Sequence, residues 1–119
     1  MGLKVYNTLS GRKEEFLSLD PPQVRMYVCG ITPYDETHLG HGRAYVTFDL
    51  IKRYLNYSGY KVKHVQNITD VDDKIIAKSN ENRVTGNEIT EKYTASYFEV
   101  MDKLNVERAD IYPKATEHI

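Results

Sequence analysis

The sequence predicts an α/β fold, a parallel sheet assembled from a strand–helix–strand unit and preceded by a small β-hairpin. Three observations carry that expectation. Val24 to Cys29 is short, rich in β-branched and aromatic residues, and closed by Gly30. Ala44, Phe48, Ile51 and Leu55 then recur at spacings of four, three and four, which is one apolar stripe of a helix. Lys61 to Asn67 reads as a second strand, and strand, helix and strand within about 45 residues make the unit whose strands run parallel and whose crossover is right-handed.

The elements follow in order. Lys4–Leu9, a Ser10-Gly11-Arg12 turn and Lys13–Leu17 form the hairpin, which Pro21-Pro22 ends. The strand over 24–29 is expected to be substantially buried, with Tyr27 packed into it. Gly30 to Thr37 is a loop by its Gly, Pro and Asp content. In the helix after it, Arg43, Lys52 and Arg53 lie off the apolar stripe, and Ser58-Gly59 is the stop. Asp70-Val71-Asp72-Asp73 opens a second helix through Ile75, Ile76 and Ala77, with acidic residues at the positive end of its dipole. A polar connection over Asn80–Asn87 ends it. Ile89, Tyr93, Tyr97, Val100 or Met101, and Leu104 share one face of a third helix. Asp110–Pro113 is irregular, and Ala115–Ile119 reads as a helix start that stops within its first turn.

The chain has 119 residues, enough for one domain that buries about two-thirds of its unfolded surface. Sixteen Lys and Arg balance 17 Asp and Glu for a net charge of −1, so no basic nucleic-acid footprint is visible. No apolar run is long enough for a membrane span, and the N-terminus lacks the apolar core of a secretory signal. The single cysteine cannot form an internal disulfide, which points to a reducing, cytoplasmic setting.

The densest cluster of chemistry lies between Cys29 and Arg43, at the carboxyl end of the first parallel strand, where open sheets bind ligands. His38 and His41 sit three apart with Gly40 between them, on one side of a helix's first turn. Two imidazoles and free helix-terminal N–H groups suit a polyphosphate on which charge builds during nucleotidyl transfer. The same residues also read as a surface helix start, or with Cys29 as part of a metal site. A closed zinc site needs a fourth ligand, and only the distant His64 and His118 remain to supply it. Cys29 by itself equally reads as a small apolar residue buried at a strand end. Asp70, Asp72 and Asp73 read as helix capping and dipole complement rather than as a magnesium site. Neither a dinucleotide fingerprint nor a P-loop is present. Tyr93 and Tyr97 belong to a core stripe, whereas Tyr34 flanks the cluster and is placed to line a pocket.

Met26-Tyr27-Val28-Cys29-Gly30-Ile31-Thr32-Pro33-Tyr34-Asp35-Glu36-Thr37-His38-Leu39-Gly40-His41-Gly42-Arg43 resembles the first active-site segment of the cysteinyl-tRNA synthetases, with their class I motif here as His38-Leu39-Gly40-His41. Val5–Leu9, Tyr54-Leu55, Gly59-Tyr60, Asn67–Ile76 and Ala115–Ile119 resemble the same family in the same order, so the likeness covers essentially the whole chain. It implies a Rossmann-like sheet and a set of roles. His38, Gly40 and His41, with Thr32, would bind ATP, and His38 and His41 would stabilise attack of the amino-acid carboxylate on the α-phosphate. Gly30 and Thr69 would shape the amino-acid pocket. Cys29 would be one of four zinc ligands, the bound zinc taking the substrate thiol as thiolate and so separating cysteine from serine.

The family is several times longer than this chain, and its second motif, Lys-Met-Ser-Lys-Ser, is absent from residues 1–119; Lys78-Ser79 stands in another context. Residues 1–119 are therefore expected to be the N-terminal part of the nucleotide-binding catalytic domain, inactive alone and carrying an incomplete zinc site. The parent would be a monomeric cysteine–tRNA ligase acting on cysteine, ATP with Mg2+, and tRNA, without a membrane. Two alternatives are a cysteine ligase of mycothiol synthesis, whose active-site segment is similar, and a stand-alone, non-catalytic binding module.

Overall fold

A computed structural model describes residues 2–119. β1 (Lys4–Asn7) pairs antiparallel with β2 (Arg12–Glu15), in the register Lys4 opposite Glu15 to Asn7 opposite Arg12. Gly11 closes the turn at φ +68°, its N–H donating to the Asn7 carbonyl at 2.8 Å, a conformation that glycine adopts without steric cost. β3 (Gln23–Val28) and β4 (Lys61–Gln66) are parallel neighbours, joined by α1 (Leu39–Tyr57). The strand–helix–strand unit is thus present as expected.

A third parallel pairing starts beyond β4. Val65 bridges Ile111, Ile68 bridges Lys114, and the N–H groups of Gln66 and Ile68 donate to the carbonyls of Ile111 and Pro113 at 3.0 and 2.9 Å. The segment read as irregular therefore lies along the far edge of β4. Pro113 has no N–H to give a ladder, which hides this strand-like run from a pattern search. Residues Ala115–Glu117 then form one turn of 3₁₀ helix.

β3 is buried on one face only. Val24 and Val28 are inside, while Arg25 and Cys29 are exposed and Tyr27 is 66% exposed, so neither substantial burial of the strand nor packing of Tyr27 holds. Side chains alternate across a strand, and only one face of β3 meets the core of Val28, Ile31, Tyr45, Tyr97 and Met101.

The buried face of α1 is also rotated from the expected stripe. Gly42, Tyr45, Asp49, Lys52 and Leu55 are buried, whereas Ile51 is exposed. The cause is a polar network that hydropathy cannot register. Asp49 Oδ1 accepts from Glu107 N–H at 3.0 Å and its Oδ2 from Arg53 Nε at 2.8 Å, while Lys52 Nζ donates to the Arg108 carbonyl at 2.9 Å. With partners supplied from 107–108, burying these charged groups carries little desolvation penalty. α1 ends at Ser58, and Gly59 follows at φ +93°.

α2 (Asp73–Asn82) and α3 (Gly86–Lys103) form a helical hairpin. Asn80 and Asn82 belong to α2 and Asn87 to α3 rather than to the connection, which is cut to Arg83–Thr85, with Arg83 in the left-handed region at φ 56°. Asp72 caps α2, accepting from Lys74 N–H at 2.9 Å, and Asp73 lies in its first turn. Asp70 does not cap α2. Its two oxygens accept from Thr116 N–H at 3.0 Å and from the Thr116 hydroxyl at 2.6 Å, which ties the 3₁₀ turn to the end of β4. Burial pushes the Asp70 carboxyl up, but the two bonds from Thr116, with its own backbone N–H and the charge of Lys114, together hold the group below its ordinary value. Tyr93 and Tyr97 lie in the core as the stripe predicts. Among the described residues no helix is long and apolar enough to cross a membrane.

Candidate active site at the carboxyl end of the parallel sheet

The backbone around Cys29 is held on both sides. The Cys29 carbonyl accepts the Tyr45 hydroxyl of α1 at 3.1 Å, and the next N–H, that of Gly30, donates to Asn67 Oδ1 at 2.6 Å. Tyr45 is seated in turn by an edge-on contact with Tyr97 at 5.3 Å, and the Tyr97 hydroxyl accepts from Gln66 Nε2 at 2.7 Å. Burial raises both phenols, Tyr97 to about 12, so both stay protonated and able to donate. Cys29 itself is exposed, which overturns the reading of a buried apolar cysteine.

Gly30 has no room for a side chain. A Cβ there would stand 1.5 Å from the Asn67 carbonyl oxygen, because the ends of β3 and β4 cross at that point. Thr69 closes the same junction, its N–H donating to the Ile31 carbonyl at 3.0 Å and its hydroxyl accepting from Asn67 Nδ2 at 3.2 Å. Gly30 and Thr69 are therefore brought together, with Asn67 between them. Thr32 stands half-buried in the loop, its carbonyl accepting from Tyr34 N–H at 3.0 Å.

His38 is the N-cap of α1, and it forms a reciprocal cap with His41. The Nδ1 of His38 accepts from Gly40 N–H at 3.1 Å, and the Nδ1 of His41 accepts from His38 N–H at 3.4 Å. The two rings stack at 3.8 Å between centroids and 18° between planes. Since each Nδ1 accepts, each neutral ring carries its proton on Nε2, on the side away from the helix backbone. Burial, and then the neighbouring His38, hold His41 below the usual histidine range, so at neutral pH it is an uncharged donor. A Cβ on Gly40 would lie 2.9 Å from His38 Cε1, so this glycine makes room for the chain's own imidazole. The first turn of α1 contains no acidic side chain, which leaves its positive end open to an anion.

Among the described residues no three of His, Cys, Asp or Glu come together as a metal cluster, so Cys29 is not part of a complete set of ligands. A zinc site does not fit on these residues alone. The Tyr34 ring packs on Ile75, Ile89 and Tyr93 of the helical hairpin. The cavity of about 440 Å³ beside the β-hairpin, lined by Phe16–Asp20 and Gln23–Arg25, shares no residue with the cluster. Tyr45 escapes a reading by motif, since its spacing resembles that of any core aromatic. Asn67 opens the Asn67–Ile76 segment of the family likeness, but the sequence assigns it no role, and its only further signal is an amide placed where a strand ends.

Residues 15–119 match the family described as tRNA synthetases class I (C) catalytic domain. The chain belongs to this family. Within it, this synthetase domain is 56% identical over 117 residues to a protein named cysteine–tRNA ligase from Gloeobacter violaceus, covering 98% of the chain and 24% of that relative. It is 54% identical over 119 residues to the cysteine–tRNA ligase of Thermococcus kodakarensis, covering 100% of the chain and 25% of the relative. The chain thus spans about a quarter of the length of the curated relatives it matches. Its fold is similar to that of methionyl-tRNA synthetase from Mycobacterium tuberculosis, solved in complex with methionyl-adenylate, with a TM-score of 0.70 at 19% identity over 79% of this chain and 19% of that one.

Proposed function

We propose that this chain is the N-terminal part of the catalytic domain of a cysteine–tRNA ligase, and that it supplies the ATP-facing half of the adenylation site. The observation that carries the reading is the reciprocal cap of His38 and His41 at the start of α1. The chain's identity of more than half to proteins named cysteine–tRNA ligase supports the substrate. In the reaction a cysteine carboxylate oxygen bonds to the α-phosphorus of Mg-ATP, the bond to the bridging oxygen breaks, and pyrophosphate leaves; the cysteinyl group then passes to the 3′ end of tRNA.

The Nε2–H groups of His38 and His41 donate to phosphate oxygens as negative charge grows on them, and Gly40 keeps the two rings parallel. Prearranged donors of this kind accelerate a step because they need no reorganisation when the charge appears. Thr32 adds a hydroxyl on the ATP side, and Gly30 and Thr69 bound the amino-acid side. Cys29 offers one sulfur donor, and a zinc ion held there would need further ligands from outside these residues. The parent acts as a monomer in the cytoplasm, a setting supported by the single unpaired cysteine of these 119 residues.

Cysteine-dependent ATP–pyrophosphate exchange and charging of tRNA with labelled cysteine, using the longer protein that carries this chain, test the proposal. Both activities are expected. Exchange without charging would move the reading to a ligase with another acceptor, such as an amino sugar, and absence of both would leave a binding module.

A further inference from the structure

The loop that delivers His38 makes little use of its own backbone. Among the described residues, the only backbone–backbone hydrogen bond donated within 33–37 runs from Tyr34 N–H to the Thr32 carbonyl. Side chains hold it instead, and three consecutive residues reach the helical hairpin. Tyr34 packs on Ile75, Ile89 and Tyr93 with Lys74 Nζ 5.2 Å from its ring centre. Asp35 pairs with Lys78 Nζ of α2 at 3.8 Å. Glu36 accepts a hydrogen bond from the Ser96 hydroxyl of α3. Two residues later the chain enters the His38 cap.

An exposed ion pair such as Asp35 with Lys78 contributes little, because solvent screens it and two mobile side chains must be ordered. The hydrogen bond to the Glu36 carboxylate and the half-buried Tyr34 ring are the stronger ties. Glu36 and Tyr34 are two and four residues from His38, so displacement of this stretch moves the imidazole that caps α1. An error of about 1 Å in a reacting group is enough to slow a reaction by orders of magnitude.

We propose that the α2–α3 hairpin is a clasp that sets the position of the His38–His41 pair, and that Glu36 and Ser96 are positioning residues of the reaction rather than contacts to substrate. The proposal rests on the reading of that pair as the phosphate-facing groups. Its test is steady-state ATP–pyrophosphate exchange by the longer protein carrying Ser96→Ala, Glu36→Ala, Glu36→Gln, or both alanines.

Each alanine variant is expected to lower kcat about tenfold while the KM for ATP moves less than about twofold, the pattern of an interaction expressed in the transition state. The double variant should be no slower than the singles, because both remove one contact. Glu36→Gln, which keeps an acceptor oxygen, should stay within about twofold of the parent. Unchanged kcat in both alanine variants, a raised KM with kcat intact, or a double variant as slow as the product of the singles would each overturn the clasp.

If the parent shows no exchange, the functional reading fails separately, and the clasp is then read by amide hydrogen exchange of the 119-residue chain. Ser96→Ala should speed exchange at Tyr34, His38 and Gly42 by about fivefold and leave the β3–β4 ladder unchanged. Equal rates in the two chains would overturn it.

Discussion

Replacing Gly30 by alanine tests the junction on which the whole site stands. The new Cβ would lie 1.5 Å from the Asn67 carbonyl oxygen and 2.7 Å from its carbon, where real Cβ atoms keep at least 3.0 Å. The obstacle is backbone, so no rotamer change relieves it, and the ends of β3 and β4 must separate by the difference, about 1.5 Å. Overpacking of this kind costs about 1–3 kcal/mol, and the bond from Gly30 N–H to Asn67 Oδ1, lost in the separation, is worth about 1 kcal/mol more. A total near 3 kcal/mol, divided by an unfolding entropy of about 0.25 kcal/mol/K for a chain of this size, lowers Tm by about 12 °C. Thermal unfolding followed by far-ultraviolet circular dichroism measures it directly. A fall of less than about 4 °C would refute the reasoning, because it would mean that the crossing opens with little resistance.

Further outcomes follow from the same geometry. Gly40→Ala should change stability by no more than about 1 kcal/mol, since gained helix propensity offsets a weakened cap, yet slow adenylate formation by more than about tenfold as the His38 ring is displaced; exchange activity at the parental level would contradict this. Tyr97→Phe leaves the buried Gln66 amide without its acceptor and should cost about 1–3 kcal/mol in urea unfolding, much of it recovered in the double variant with Gln66→Leu. His64 is 4% exposed, and neither ring nitrogen has a hydrogen-bond partner among the described residues, so His64→Leu should raise stability at pH 7 by about 1 kcal/mol. Burial, and then Lys52, hold its folded pKa below the unfolded value of 6.5, against the opposing pull of Asp110 and Asp49. The unfolded chain therefore binds the proton more readily, and stability contributed by neutral His64 is lost as pH falls below about 6.5. The Tm of the parent should drop more than that of His64→Leu between pH 7.5 and 5.5, and parallel curves would refute the assignment.

Much of the site was legible because its residues are near neighbours in the chain. His38, Gly40 and His41 fall within one helical turn, and the capping geometry follows from that spacing and from the loop that precedes it. Where the reading went astray, the missing information was long-range. Lys52 looked like a solvent-facing charge because its partners, Glu107 and the Arg108 carbonyl, lie more than 50 positions away. Asp70 looked like a helix cap because Thr116 lies 46 positions away, and the packing of Tyr34 went unseen because the three side chains it meets come from two later helices.

The sequence by itself determined the order and type of the elements, the parallel unit, the chemical cluster at the end of its first strand and the family likeness. Those properties reside in local propensity, periodicity and contiguous motif, which need no third dimension. Only the tertiary structure decided which face of α1 is buried, that Gly30 is demanded by a backbone crossing, that Tyr45 and Asn67 hold Cys29 in place, and that the signature loop leans on α2 and α3. Each of these depends on the distance between residues far apart in the chain, and on whether a buried polar group finds its partner there, which hydropathy and spacing do not encode.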